Sequence, residues 1–184
     1  MPAEKHDFWV ATMFPLSRRG ETNRWEMSLE WDYLISSKIM FVEGPIDVAP
    51  LVAVAENLSK VEDVPLNYSD VFLVSSRARA IFDDLGPGDI QWIPTTIRCG
   101  ERTHPDPYWT MHVLRTIDCA DPPSVYSIRG EKPYYVRFKV DPSKVPPEVA
   151  AFRVKHAGAG PIVRDSVRQA FRKAKINGID FYPT

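Results

Sequence analysis

Residues 71–95 and 161–184 are written in the same pattern, and this repeat constrains the fold more than any other feature of the chain. With a gapless offset of 89 positions, Val74, Arg79, Phe82, Ile90, Pro94 and Thr95 recur as Val163, Arg168, Phe171, Ile179, Pro183 and Thr184, and Trp92 aligns with Phe181. The roles repeat as well as the letters. Ala78, Ile81, Phe82 and Leu85 fall at i, i+3, i+4 and i+7, and Val167, Ala170, Phe171 and Ala174 hold the same four positions, so both copies predict a one-faced helix. Ser76 and Asp165 are the expected helix caps, since a short oxygen side chain accepts from orphan backbone N–H groups. Gly86-Pro87-Gly88 and Asn177-Gly178 close the helices on chain reversals. A short strand follows each reversal, Ile90 to Ile93 and Ile179 to Tyr182, and is stopped by Pro94 or Pro183. The repeated unit is strand, helix, strand. Its solvent side is not repeated, because Asp83-Asp84 becomes Arg172-Lys173.

At 184 residues, with 44% hydrophobic and 26% charged residues, the chain has the composition of a globular protein able to bury a real core. No apolar run approaches the ~18–20 residues of a membrane span. The N-terminal Met1-Pro-Ala-Glu-Lys-His-Asp7 lacks the basic-then-apolar order of a secretory signal, so a cytoplasmic protein is expected. Cys99 and Cys119 are too few for a disulfide framework and read as buried or idle thiols. The net charge of −1 hides an asymmetry: residues 1–128 hold 19 acids against 11 Lys/Arg, and residues 129–175 hold 12 Lys/Arg against 4 acids. The two excesses either neutralise each other within the fold or face charged partners.

Outside the repeat the chain reads mostly as strands. Trp25, Met27, Leu29 and Trp31 alternate with Glu26, Ser28, Glu30 and Asp32, the period of a half-buried strand. Lys38 to Val42 reads as another, residues 51–58 stay open between strand and helix, and Tyr108 to Ile117 reads as a strand covered on both faces. Tyr134, Val136, Phe138 and Val140 alternate with polar neighbours, and Phe152 with Val154 marks a short strand. The expected class is α+β, a mixed and mostly antiparallel sheet with two related strand-helix-strand units. One domain over 1–184 is expected, with a strand-rich part at 1–66 and the related units at 67–184.

No residue set predicts catalysis. Glu30 and Asp32 lie ~6–7 Å apart on one strand face, the spacing of glycosidase acids, but any acidic wet face gives the same spacing. His104, Asp106 and His112 could be imagined around a metal, yet a rigid turn and a half-exposed strand histidine explain them far more simply. No nucleophile elbow appears, and Gly158-Ala159-Gly160-Pro161 fits neither phosphate-loop spacing, so it reads as a turn between strands. No catalytic, metal or cofactor-binding residues are assigned, and no cofactor is expected. Arg164, Arg168 and Arg172 recur every four residues as a basic stripe opposite the apolar face of the second helix. Such a stripe could hold phosphates, but neither a helix-turn-helix nor a base-stacking platform accompanies it.

The order of motifs resembles the eleventh immunity protein family of bacterial polymorphic-toxin systems. The resemblance rests on Val71-Phe-Leu-Val-Ser-Ser, a helix, and Ile90-Gln-Trp-Ile-Pro94; on Tyr108-Trp-Thr-Met-His-Val-Leu-Arg-Thr-Ile-Asp118; and on Val145-Pro-Pro, Phe152-Arg-Val, Pro161-Ile-Val, a helix, and Asn177-Gly-Ile-Asp-Phe181. With Gly44-Pro45 it spans about residues 40–184. It implies a non-enzymatic inhibitor that binds and blocks a cognate protein toxin, encoded by the adjacent gene, inside the producing cell. No contact motif comes with it. Because many such toxins are basic nucleases, the acidic residues Glu26, Glu30 and Asp32 are the expected contacts, with Arg168 and Arg172 on the opposite charge face. A nucleic-acid-binding accessory protein using the basic helix, or a small hydrolase, is the alternative; no membrane partner is expected.

Overall fold

A computed structural model describes residues 7–13, 27–31, 33–67, 71–86, 88–129, 132–158 and 160–184. The fold is α+β, with thirteen strands and three α-helices among the described residues. In the first unit β4 (Leu73–Ser75) enters helix α2 (Ser76–Leu85), which returns as β5 (Ile90–Cys99). In the second, β12 (Ile162–Arg164), α3 (Asp165–Lys173) and β13 (Asp180–Pro183) follow the same path.

In neither unit do the two strands touch. A third strand separates them, antiparallel to both: β7 (Tyr108–Val113) between β4 and β5, and β1 (Phe8–Thr12) between β12 and β13. The second unit therefore draws its central strand from the N-terminal segment. Trp109 of β7 lies opposite Val74 and Pro94, and Trp9 of β1 lies opposite Val163 and Pro183. The guanidinium of Arg79 sits 4.0 Å from the Trp109 ring centroid, and that of Arg168 sits 4.1 Å from Trp9. Val, Pro and Arg, three of the repeated identities, thus converge on a tryptophan that the repeat itself does not contain.

The first unit extends through β3 (Leu51–Ala55), parallel to β5, and β2 (Met27–Leu29), antiparallel to β3, with β6 (Arg102–Thr103) folded back on β5. The second extends through β11 (Ala151–Val154) and β8 (Thr116–Ile117), a parallel pair. The strands β9 (Ala120–Arg129) and β10 (Lys132–Val140) pair with each other as a two-stranded ribbon.

Both sheets turn one face to a shared core. Val74 and Met111 of the first sheet, Ala11 and Val163 of the second, and Ala78, Phe82, Val167 and Phe171 of the helices pack there. Phe82 meets Phe171 edge to face at 5.3 Å between ring centroids. The loops after the helices then reach across reciprocally. From the first unit, the buried Asp89 carboxylate accepts from Ala150 N at 2.8 Å, beside the outer strand of the second. From the second, Asn177 accepts from Asp63 N at 2.6 Å, beside the outer strand of the first. Gly178, at φ +84°, lies so close to the Val64 carbonyl that a Cβ would overlap it. Gly160, in the connection from β11 to β12, is excluded from carrying a side chain in the same way by the Ala11 carbonyl.

Several local expectations require correction. The first cap is Ser75, accepting from Ala78 N, rather than Ser76. Arg164 occupies the corresponding position before α3 with no side-chain cap bond, and Asp165 is the first helical residue, where its charge suits the helix dipole. Leu85 and Ala174, the fourth positions of the predicted apolar stripes, are exposed. Lys38 to Val42 is not a strand: α1 (Tyr33–Phe41) is a helix whose Ile39 is buried against the outer face of the first sheet. Residues 51–55 resolve as strand.

The end of α1 shows why its local sequence misleads. Arg153 of β11 donates to the carbonyls of Met40 and Val42. His112 of β7 places its two ring nitrogens 2.8 Å from Ile39 O and 2.7 Å from Gly44 O. These partners, 111 and 73 residues away, lie against carbonyls at and just beyond the helix end, where the last helical carbonyls have no partner within the helix.

Phe171→Ala is expected to cost about 3–5 kcal/mol by opening a cavity in the shared core, and Gly178→Ala is expected to destabilise by straining a left-handed position against Val64. Chemical denaturation of both variants checks this, with Leu85→Ala as an exposed control that moves stability by less than about 0.5 kcal/mol.

Candidate partner-binding faces

The basic stripe of α3 divides once its side chains are placed. Arg164 donates through Nε to Val149 O at 2.6 Å and through a terminal nitrogen to Pro146 O at 2.7 Å, with its guanidinium 5.0 Å from the Phe8 ring centroid. Arg168 is half-buried: it lies over Trp9 and donates to Asp165 Oδ1 at 2.6 Å. Arg164, at the end of β12, ties the start of α3 to the loop before β11, and Arg168 ties the helix to β1. Arg172, Lys173 and Lys175 are exposed, so the accessible charge gathers at the C-terminal end of α3, where cations also suit the dipole.

Asp165 is the hinge of this arrangement. Burial alone would raise its pKa, but hydrogen bonds from Arg168 and Gln169 and the charge of Arg168 outweigh that and hold it below the usual carboxylate value.

On the acidic side, Glu30 follows β2 and pairs with Arg98 of β5, both side chains partly exposed. The hydrogen bond and charge of Glu30 raise the Arg98 pKa. Glu26 and Asp32 lie outside the described residues, so the predicted strand face is represented structurally by Glu30 alone. The exposed carboxylates of Glu43, Asp47 and Glu56 lie on the same acidic half of the chain, where no alternation pattern marks them.

The remaining chemical candidates are absorbed by the fold. His112 is fully buried rather than half-exposed, and both its nitrogens face carbonyl oxygens. His104 accepts from Asp106 N at 3.1 Å within its own turn. Burial pushes the Cys119 thiol up to about 11, so it stays protonated near neutrality, and Cys99 is also a free thiol. Among the described residues, no group of three His, Cys, Asp or Glu is placed to hold a metal ion, and no helix is long and apolar enough to cross a membrane.

What the geometry presents is a scaffold of two related units whose candidate interacting parts are charged faces. The chain matches the model of the immunity protein family Imm11 over residues 49–184 and belongs to that family. No curated protein matches it. The matched region contains both strand-helix-strand units and the β7 strand, while β1, β2 and α1 precede it.

Arg168→Ala is expected to lose about 1–3 kcal/mol, the worth of a packed cation–π contact with charge-assisted hydrogen bonds, while Arg172→Ala changes stability by less than about 0.5 kcal/mol. The pH dependence carries a sign. A lowered carboxylate pKa contributes stability that is present above the unfolded value near ~3.9 and lost as pH falls through the folded one. The gap between wild type and Arg168→Ala should therefore narrow below about pH 4, as read by denaturant titrations across pH.

Proposed function

We propose that this chain protects its producing cell by binding a cognate protein toxin in the cytoplasm and occluding it, without turnover of its own. Membership of the immunity protein family is the observation that carries this reading. The charge distribution supports a basic toxin, such as a nuclease, as the partner, because an acidic surface accelerates encounter with a basic one. Glu26, Glu30 and Asp32 are the proposed acidic contacts. On the basic face the accessible Arg172 is a better-supported contact than Arg168, whose guanidinium is committed to Trp9 and Asp165. The same commitment of Arg164 and Arg168 weighs against a nucleic-acid-binding role for this helix, since two of the three arginines in the stripe are spent on the fold.

Co-expression with the toxin encoded by the adjacent gene is expected to restore growth, and purified chain should inhibit the toxin with an equivalence point at one molar ratio. Recovery of inhibition at sub-stoichiometric amounts would instead reveal an enzyme. Association should slow as salt rises, because steering between opposite charges is screened.

A further inference from the structure

The helix α1 is anchored far more firmly than its exposed face requires. Ile39 is buried beneath it, and Arg153 from one sheet and His112 from the other hold its C-terminal carbonyls. Yet Leu34 is 68% exposed, Phe41 61% and Val42 40%, three of the four exposed large apolar residues among those described. Leu34 and Phe41 are seven positions apart, so they share one side of the helix. The helix precedes the family-matched residues 49–184.

Its electrical surroundings select the occupant. Residues 26–70 carry nine Asp/Glu against two lysines, and Glu43 and Asp47, both exposed, follow the end of α1 in the chain, Glu43 within electrostatic reach of the Arg153 that holds the helix end. A two-fold contact between copies through α1 would bring two such acidic segments together. Nucleic acid and anionic lipid are repelled for the same reason. A protein with an apolar depression rimmed by Lys/Arg satisfies both features, with burial supplying affinity and charge supplying steering.

We propose that α1 is the recognition helix for the toxin, inserting Leu34 and Phe41 into a basic-rimmed apolar pocket while Glu43 and Asp47 engage the rim. This rests on the immunity reading above and names the face that performs it. A preformed helix locked from both sheets gives up little conformational entropy on docking.

The test uses the full chain and the catalytically inactivated toxin domain from the adjacent gene, with affinity measured by calorimetry. Wild type is expected to bind, and Leu34→Asp/Phe41→Asp to weaken binding by at least about 30-fold with an unchanged melting temperature. Glu43→Lys/Asp47→Lys should lower the association rate and flatten its salt dependence. If both double variants fold and bind like wild type, the proposal is overturned while the immunity reading stands. If wild type itself neither binds nor protects, the immunity reading fails and takes the proposal with it. A wild-type dimer that Leu34→Asp/Phe41→Asp converts to monomer would identify a second copy as the occupant and overturn it. Should that variant unfold, Glu43→Lys/Asp47→Lys decides alone, and unchanged association kinetics would overturn the proposal.

Discussion

The edge-to-face contact between Phe82 and Phe171 is the junction on which the architecture depends. Each ring sits on the inward side of its own helix, and each extends into its own sheet, Phe82 toward Trp92 at 6.0 Å and Phe171 toward Phe181 at 5.8 Å. Four aromatic rings, two from each unit, thus run in series through the shared core. With the helices fixed to one another, the loops that follow them arrive beside the opposite unit, and the Asp89 and Asn177 contacts become possible. The reciprocity follows from pairing two similar units through equivalent residues.

The repeat was legible because its identities are the residues that packing and register hold in place. Val74/Val163, Pro94/Pro183 and Arg79/Arg168 surround equivalent tryptophans, and Phe82/Phe171 touch. What the gapless comparison could not contain was the central strand. Tyr108-Trp109 follows its own unit, whereas Phe8-Trp9 precedes its unit by more than 150 residues, so the pairing lies in space and not in sequence order. The local sequence of α1 misleads for a related reason. Five consecutive apolar or amphipathic residues carry too little periodicity to separate helix from strand, and the groups that finish this helix, Arg153 and His112, come from distant strands.

The charged candidates were legible as residues but not as states. The four-residue spacing puts Arg168 and Arg172 on a helix but also counts Arg164, which ends β12 just before it, and spacing cannot report that Phe8 and Trp9 lie beneath two of the three. Likewise alternation put Glu30 on a wet face without revealing that Arg98, 68 positions away, shares it. Arg172 and Glu43 are exposed, a tertiary fact that spacing does not report, and Glu43 acts electrostatically on the distant Arg153. The exposed side of α1 is hidden for a plainer reason: a strand period over residues 38–42 gives Leu34 and Phe41 no common face, whereas the helix does.

The position of β1 also sets an order of events. As the chain emerges, residues 8–12 are made long before either of the strands that flank them, 162–164 and 180–183. The first unit needs only residues up to 113 for its own three strands. Synthesis therefore passes through a long interval in which one half can close while the other holds an apolar strand with two open edges, the kind of surface that pairs with wrong neighbours. Closing that gap is a contact of extreme sequence separation, so the last step of maturation should be slow relative to the first.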